Sequence, residues 1–357
     1  MFGGAYQGKR VLLTGHTGFK GSWLAFWLQR LGADVCGCSL PSPTEPSHWN
    51  LLQMDMRSEL VDVRDFQALE KVFCEFEPEI VFHLAAQPLV RASYRDPVET
   101  WSTNVMGTLN VFEACRKTES VRAIVNVTSD KCYENREWDR GYREDDAMGG
   151  YDPYSASKGC SELLTASYRN SYFNNADFGE KHETLLASCR AGNVIGGGDW
   201  AEDRLVPDIM RAVASGNTVE IRNPHATRPW QHVLEPLSGY LLVGRRLLEG
   251  LPEYNGGWNF GPDESSDLSV REVVENIKLH WNQIDYRLAQ VVGAPHEAHL
   301  LKLDCAKARE QLGWHPIWSG DITFAKTVGW YREFYESGHL MTESDLDEYM
   351  KRIDFGD

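Results

Sequence analysis

The chain has 357 residues, 42% hydrophobic and 25% charged, an ordinary composition for roughly two domains around a large core. Its formal net charge of −16 argues against nucleic-acid binding, which needs a basic face, and obliges any anionic ligand to find a local cluster of cations. No stretch approaches the roughly 18 apolar residues of a membrane span, and the opening MFGGAYQGKR has no signal-peptide core, so neither membrane nor secretion is expected. The eight cysteines are scattered, with no C-x-x-C spacing, and His16, His83 and His232 fall in separate segments. Buried free thiols in a cytoplasmic protein, without a metal site, are the expected outcome.

Short β-branched runs alternate with amphipathic stretches through the first half. Strands are expected over Arg10–Gly15, Ala33–Leu40, Ser58–Val63, Glu79–Ala86, Val121–Ser129 and Thr184–Val194, with helices over Gly21–Leu31, Asp65–Phe76, Pro97–Lys117 and Tyr151–Tyr172. Such βαβ alternation implies an α/β fold with a doubly wound parallel sheet. Asn126-Val127-Thr128 matches a glycosylation sequon, but it falls in a buried strand and is discarded. After about Gly192 the rhythm breaks. A helix at Pro207–Gly216, a strand in TVEIRN (Thr218–Asn223) and a strand-then-helix at His232–Gly250 precede helices at Val270–His280, Asp304–Leu312 and Asp321–Glu336. The resulting division is a nucleotide-binding domain over residues 1–191, joined by 230–250 packing back on it, and a smaller mixed α/β substrate domain over 192–357.

Two motifs carry chemistry. TGHTGFKGS puts Gly15, Gly18 and Gly21 at three-residue intervals between the first strand and its helix, where glycines let backbone N–H groups approach a pyrophosphate. Phe19 and Lys20 lie within that turn, and Lys20 is the one cation there able to meet a 2′-phosphate. The second strand ends in Cys38-Ser39-Leu40 without the usual ribose-binding acid, so NAD is favoured only moderately by these residues. Asp62 and Val63 are placed at the adenine edge, although Asp62 also reads as the start of a turn; Leu84, Ala85 and Ala86 lie along the cofactor. Downstream, Tyr154 and Lys158 in DPYSASKG are four residues apart and so share a helix face. An ammonium there is expected to favour phenolate and lower the tyrosine pKa from about 10.

The turn, HLAAQ (His83–Gln87), Asn104 in NVMGT, Ser129, Tyr154 and Lys158 together resemble the extended short-chain dehydrogenase/reductases that modify nucleotide sugars, the NAD-dependent epimerase/dehydratase family. The resemblance spans almost the whole chain. TGHTGFKGSW, AAQPLVRASYRDP, VTSDKCYEN, RAGNVIGGGDW and RPWQHVLEPLSGYL narrow it to the branch that dehydrates CDP-glucose. The resemblance implies a Rossmann-type fold, NAD as cofactor, CDP-glucose as substrate and a homodimer or homotetramer built on helices Pro97–Lys117 and Tyr151–Tyr172. It also implies that Ser129 bonds the sugar's 4-oxygen, Tyr154 is the base and Lys158 holds the nicotinamide ribose. Where dTDP-glucose enzymes have Asp-Glu after the hydroxyl residue, this chain has Asp130-Lys131.

The implied reaction oxidises carbon 4, eliminates water across carbons 5 and 6 and reduces carbon 6. Asp130 would protonate the departing 6-hydroxyl if burial keeps it protonated. Lys131 would either take the carbon-5 proton, which needs a lowered pKa, or stay charged and stabilise the enolate. Asn193 and Arg228, with Arg204 as a weaker candidate, are the expected phosphate anchors. Arg190 reads equally as a partner for a sheet-end carboxylate, and Trp200 and Trp230 either wall the nucleotide or pack. His16 and His83 read as structural. Two alternatives remain open: a nucleotide-sugar 4-epimerase or dehydratase of other specificity, and a non-catalytic dinucleotide-binding regulator.

Overall fold

The computed structural model describes residues 1–221, 224–263, 267–288 and 300–353. Its first half runs β1 (Arg10–Thr14), α1 (Phe19–Arg30), β2 (Asp34–Ser39), α2 (His48–Leu52), β3 (Arg57–Leu60), α3 (Phe66–Phe76), β4 (Ile80–His83), α4 (Val90–Arg95), α5 (Pro97–Trp101), α6 (Thr108–Lys117), β5 (Ala123–Val127), α7 (Pro153–Ser171) and β6 (Leu185–Ala191). There follow β7 (Val194–Ile195), α8 (Leu205–Ala214), β8 (Val219–Ile221), β9 (Thr227–Pro229), β10 (Gln231–His232), α9 (Leu234–Leu248) and β11 (Gly257–Phe260). The chain ends with β12 (Asp267–Ser269), α10 (Val270–His280), β13 (Tyr286–Leu288), α11 (Gly320–Ser337) and α12 (Thr342–Met350).

Seven strands form one sheet in the order β11-β6-β5-β4-β1-β2-β3, every neighbouring pair parallel. The chain order reverses between β1 and β4, which opens a crevice at the carboxyl ends of those strands. Successive side chains of β1 serve opposite layers. Val11 and Leu13 join Trp23, Trp27, Leu237 and Trp258 on one face, while Leu12 joins Val81, Val111, Phe112 and Ile124 on the other. Both faces are therefore covered, as a parallel sheet requires.

Local signals start the helices that matter. Asp152 caps α7 by accepting from the Ser155 amide at 2.9 Å, with Pro153 in the first turn, where its missing N–H costs nothing. Asp96 and Pro97 repeat the device at α5. The helix expected over Pro97–Lys117 is present and runs from α5 into α6 through a wide, π-helical turn at Ser102–Gly107. There Asn104 turns inward, accepting from the Gln87 amide at 2.8 Å and donating to Ser157 at 2.9 Å, so it ties the β4 exit to α7.

The seventh strand, β11, lies beyond the residue-191 boundary read in the sequence. It pairs with β6, and α9 returns to pack beside β5 and β6. The short GWNF run shows no strand period, because a parallel edge covered by helices need not alternate. Arg222 and Asn223, the end of the expected TVEIRN strand, lie outside the described residues. No helix among the described residues is long and apolar enough to cross a membrane.

The α9–β11 contact is tight at Gly239, where an added Cβ would overlap the Phe260 ring. Gly239→Ala should cost about 1–3 kcal/mol in urea unfolding, because overpacking has no slack at a buried helix–strand contact.

Candidate active site

The glycine turn sits at the switch point. Gly15 leaves β1 with φ +77° and an added Cβ would approach the Ala85 amide nitrogen to 2.7 Å, so only glycine fits. At Gly21 an added Cβ would overlap the Gly15 carbonyl, which presses α1 against the turn. Gly18 is the N-cap of α1 and supplies no side-chain cap, so the N–H groups of the first turn face outward without a competing oxygen. Thr14 Oγ1 accepts from the Leu84 and Ala85 amides at 3.2 Å each, drawing the β4 exit alongside, with Leu84, Ala85 and Ala86 half-buried. The Thr17 hydroxyl donates to the Leu40 carbonyl at 2.9 Å and lies 2.7 Å from Ser39 Oγ, so Ser39 closes the β2 side of the turn. A bare cradle over a helix N-terminus fits a dinucleotide pyrophosphate.

Phe19 packs against the core from the first position of α1. Val63 is buried against Gly107, and its carbonyl accepts from Asn110 at 2.9 Å. Asp62 makes a turn with Arg64, accepting its amide at 2.9 Å and its guanidinium at 2.6 Å; that arginine holds the carboxyl below its ordinary pKa despite partial burial.

A second set converges on a cavity of about 600 Å³ beside the crevice. Its lining includes Ser129, Asp130, Lys131, Tyr154, Asn193, Arg204 and Arg228, and also Lys20. Lys20 therefore belongs with this cavity, not with the β2–β3 end of the sheet where a 2′-phosphate is expected. Ser129 leaves β5 as the cap of a one-turn helix, accepting from the Lys131 amide at 3.2 Å and donating to Asp130 Oδ1 at 2.9 Å. Asp130 is 2% exposed, and its Oδ2 has no hydrogen-bond partner among the described residues. That oxygen rests on Gly192, where an added Cβ would overlap it.

Tyr154 and Lys158 stand on α7, and the Tyr154 amide donates to Ser93 at 3.1 Å. The pKa expectation for this pair needs correction. Burial pushes Tyr154 up to about 12, a hydrogen bond with Ser129 pulls down, and Asp130 pushes up again. Lys158 Nζ spends a hydrogen bond on the Val127 carbonyl at 3.2 Å, and burial lowers its pKa to about 8. Desolvation of the phenolate outweighs the Ser129 hydrogen bond and the charge of Arg204.

The anchors differ in character. Asn193 sits at φ +43°, strained for a non-glycine residue, and its buried Nδ2 has no partner among the described residues. Arg204 is held by Asp199 at 2.8 Å, and Arg91 by Asp203 at 3.0 Å, all four in the cavity lining. Arg228 donates to the Thr227 carbonyl at 2.8 Å from β9. Trp230 lines the cavity, whereas Trp200 packs between Trp330, Tyr331 and Phe334. His83 bonds Thr14 and Thr108, and His16 bonds Ser58; burial pushes their pKa values down to about 3 and about 4. Sequence reasoning missed Glu162, four residues after Lys158 and so on the same face. It accepts from Thr128, from Ser188 at 2.8 Å and from Arg190 at 2.8 Å. Arg190 is thus the partner of a buried carboxylate, and it also donates to Tyr133 at 2.5 Å.

This sheet order, a glycine turn at its switch point and a Ser–Tyr–Lys set over the strand ends define an extended short-chain dehydrogenase/reductase of the nucleotide-sugar-modifying kind. Residues 12–327 match the family described as GDP-mannose 4,6 dehydratase, and the chain belongs to that family. It is 51% identical to a CDP-glucose 4,6-dehydratase of Salmonella typhimurium over 97% of both chains. A Thermus thermophilus UDP-glucose 4-epimerase solved in complex with NAD is 25% identical, with TM-score 0.78 over 90% of this chain and 99% of that one. An epimerase of Methanothermobacter thermautotrophicus is likewise 25% identical, with TM-score 0.81 over 94% and 95%.

Burial alone would raise Glu162, but the charge of Arg190 and three donors hold it below its ordinary value of 4.5. A carboxylate whose folded pKa is depressed stabilises the fold above its unfolded pKa and loses that contribution as pH falls through the folded value. Glu162→Gln should therefore cost about 3–5 kcal/mol at neutral pH, by leaving Arg190 buried and uncompensated. Urea titrations should show the gap between variant and parent narrowing below about pH 4.5.

Proposed function

We propose that this chain is an NAD-dependent nucleotide-sugar 4,6-dehydratase whose substrate is CDP-glucose. The observation that carries the reading is the convergence of Ser129, Asp130, Lys131 and Tyr154 on one cavity in a chain 51% identical to a CDP-glucose 4,6-dehydratase. NAD bound over the glycine turn supplies the oxidising capacity at carbon 4 and the reducing capacity at carbon 6. Gly15, Gly18, Phe19, Gly21, Ser39, Asp62, Val63 and Leu84–Ala86 form its bed, and Lys158 takes the nicotinamide ribose.

Tyr154 Oη removes the proton of the 4-hydroxyl while Ser129 Oγ orients that oxygen. The ketone formed makes the carbon-5 proton acidic. The Asp130 carboxyl, in the cavity lining, delivers a proton to the departing 6-hydroxyl, and Lys131 stabilises the enolate oxygen. Asn193, Arg204 and Arg228 receive the diphosphate, the two arginines through planar donor forks. The loops and short strands after residue 192 that lie off the main sheet make up the substrate-binding part. The epimerase alternative leaves the Asp130–Lys131 turn without a task.

A homo-oligomer is supported by apolar side chains left exposed on α5, the wide turn and α7: Val98, Met106 and Leu163 are 77%, 50% and 59% exposed. A cytoplasmic location agrees with eight unpaired cysteines.

CDP-glucose carrying deuterium at carbon 4 should give a 4-keto-6-deoxy product with the label at carbon 6 and no net reduction of added NAD. Equal turnover of dTDP-, UDP- and GDP-glucose would defeat the nucleotide assignment, and label retained at carbon 4 would defeat dehydration. Tyr154→Phe should lower kcat by about 10²–10⁴-fold with little change in NAD binding measured by fluorescence titration. In light scattering the parent should run as a dimer or tetramer, and the double substitution Val98→Lys with Leu163→Lys as a monomer; a monomeric parent would sink the oligomer.

A further inference from the structure

The glycine turn carries a cation that a purely cofactor-binding turn does not need. Lys20, second residue of α1, lines the sugar cavity with Ser129, Asp130, Lys131, Tyr154 and Arg204. Four charged groups face it from four other parts of the fold: Arg204 at the start of α8, Lys158 on α7, Asp130 after β5 and Asp199 after β7. Burial, Arg204 and Lys158 lower its pKa to about 8 against the pull of Asp130 and Asp199, so a neutral amine is accessible near neutral pH. Asp199 is already engaged by Arg204 at 2.8 Å and by the Ala201 amide at 3.0 Å. Asp130 Oδ2 is not engaged among the described residues.

On the dehydratase reading, we infer that Lys20 is a further catalytic residue, the base that removes the carbon-5 proton and later returns it. The neutral Nζ takes that proton, and the C5–H electron pair becomes the C5–C6 double bond. The C6–O bond breaks, and its hydroxyl leaves as water with the proton of Asp130. The amine gains a proton as the acid gives one up, so the step ends on an ammonium and a carboxylate, whose attraction is strengthened in a cavity drier than bulk water. When carbon 6 is reduced, the ammonium gives its proton back to carbon 5. Ser129 acts on Tyr154 and donates to Asp130 Oδ1 at 2.9 Å, which makes it the relay: as Tyr154 takes the 4-hydroxyl proton its own passes through Ser129 to Asp130, and that is the proton that leaves with the 6-hydroxyl. One water leaves per turnover and every group is restored.

The test uses the full chain loaded with NAD, CDP-glucose in D2O, and the variants Lys20→Met and Lys20→Arg. Arginine keeps the charge and length but does not deprotonate. Both variants should lose about 100-fold or more in dehydration and in deuterium incorporation at carbon 5, while absorbance of the reduced cofactor still develops. The parent's dehydration rate should rise with pH through about 8, a limb absent from both variants. Carbon-5 exchange at parental rate in Lys20→Met, or near-full activity in Lys20→Arg, would overturn the inference and leave Lys20 a phosphate or charge contact. NAD titration and thermal unfolding of each variant separate loss of chemistry from loss of the turn, and the arginine variant covers a failure of the methionine variant to fold. A parent that does not dehydrate CDP-glucose at all would instead remove the dehydratase reading on which the inference rests.

Discussion

Everything catalytic in this molecule hangs from one buried ion pair. Glu162 and Arg190 are 4% and 4% exposed, and each reaches a different end of the segment that carries Ser129, Asp130 and Lys131. The carboxylate accepts from Thr128, immediately before Ser129, while the guanidinium donates to Tyr133 just past the turn. Tyr133 passes the constraint on, donating to Asn259 Oδ1 of β11 at 2.8 Å. One pair thus clamps β5, β6, β11 and α7 together under the strand ends. Such a pair is costly to bury; Glu162 meets that cost with three donors, and Arg190 with Glu162, Tyr133 and the Glu144 carbonyl, although its Nε has no partner among the described residues.

Above that clamp two of the cavity's arginines are paired with carboxylates before any substrate arrives. Asp199 holds Arg204 and Asp203 holds Arg91, while Lys20 feels the charge of Asp130 without an ion pair to it among the described residues. In a chain of net charge −16 this keeps cations concentrated in the cavity, with those two arginines compensated in a partly dry site. It also brings a lysine of the cofactor turn and an acid of the sugar site under one electrostatic field.

The C-terminal third supports this arrangement from behind. The Asp199 amide donates to Tyr331 of α11 at 2.9 Å, and Trp200 lies among the rings of Trp330, Tyr331 and Phe334. Deeper, Glu235 on α9 accepts from the Ile317 and Trp318 amides and from Tyr349 of α12 at 2.6 Å, and burial raises its pKa to about 7. The loop that presents Arg204 is therefore braced by helices more than a hundred residues downstream.

The sheet and its turn were legible because their signals are local. Apolar runs bounded by turn residues mark β1 to β6, and only glycine tolerates the positive φ at Gly15 and the close approach at Gly21. Asp152-Pro153 announces the helix that carries Tyr154 and Lys158. Family resemblance then assigned roles that spacing alone left open. β11 escaped because four covered residues show no period, and the π-helical turn at Ser102–Gly107 because it continues the helix that the sequence predicts. Glu162 lay within the Tyr154–Lys158 face at the next helical interval, a signal available but not weighed. By itself the sequence determined the order of elements, the cofactor turn and the reacting residue types, since these depend on neighbours within a few positions. Tertiary structure alone decided that Lys20 faces the sugar cavity, that Arg190 pairs inward and that Tyr154 rises in pKa. Each of these is set by burial and by charges from distant segments, which no local pattern encodes.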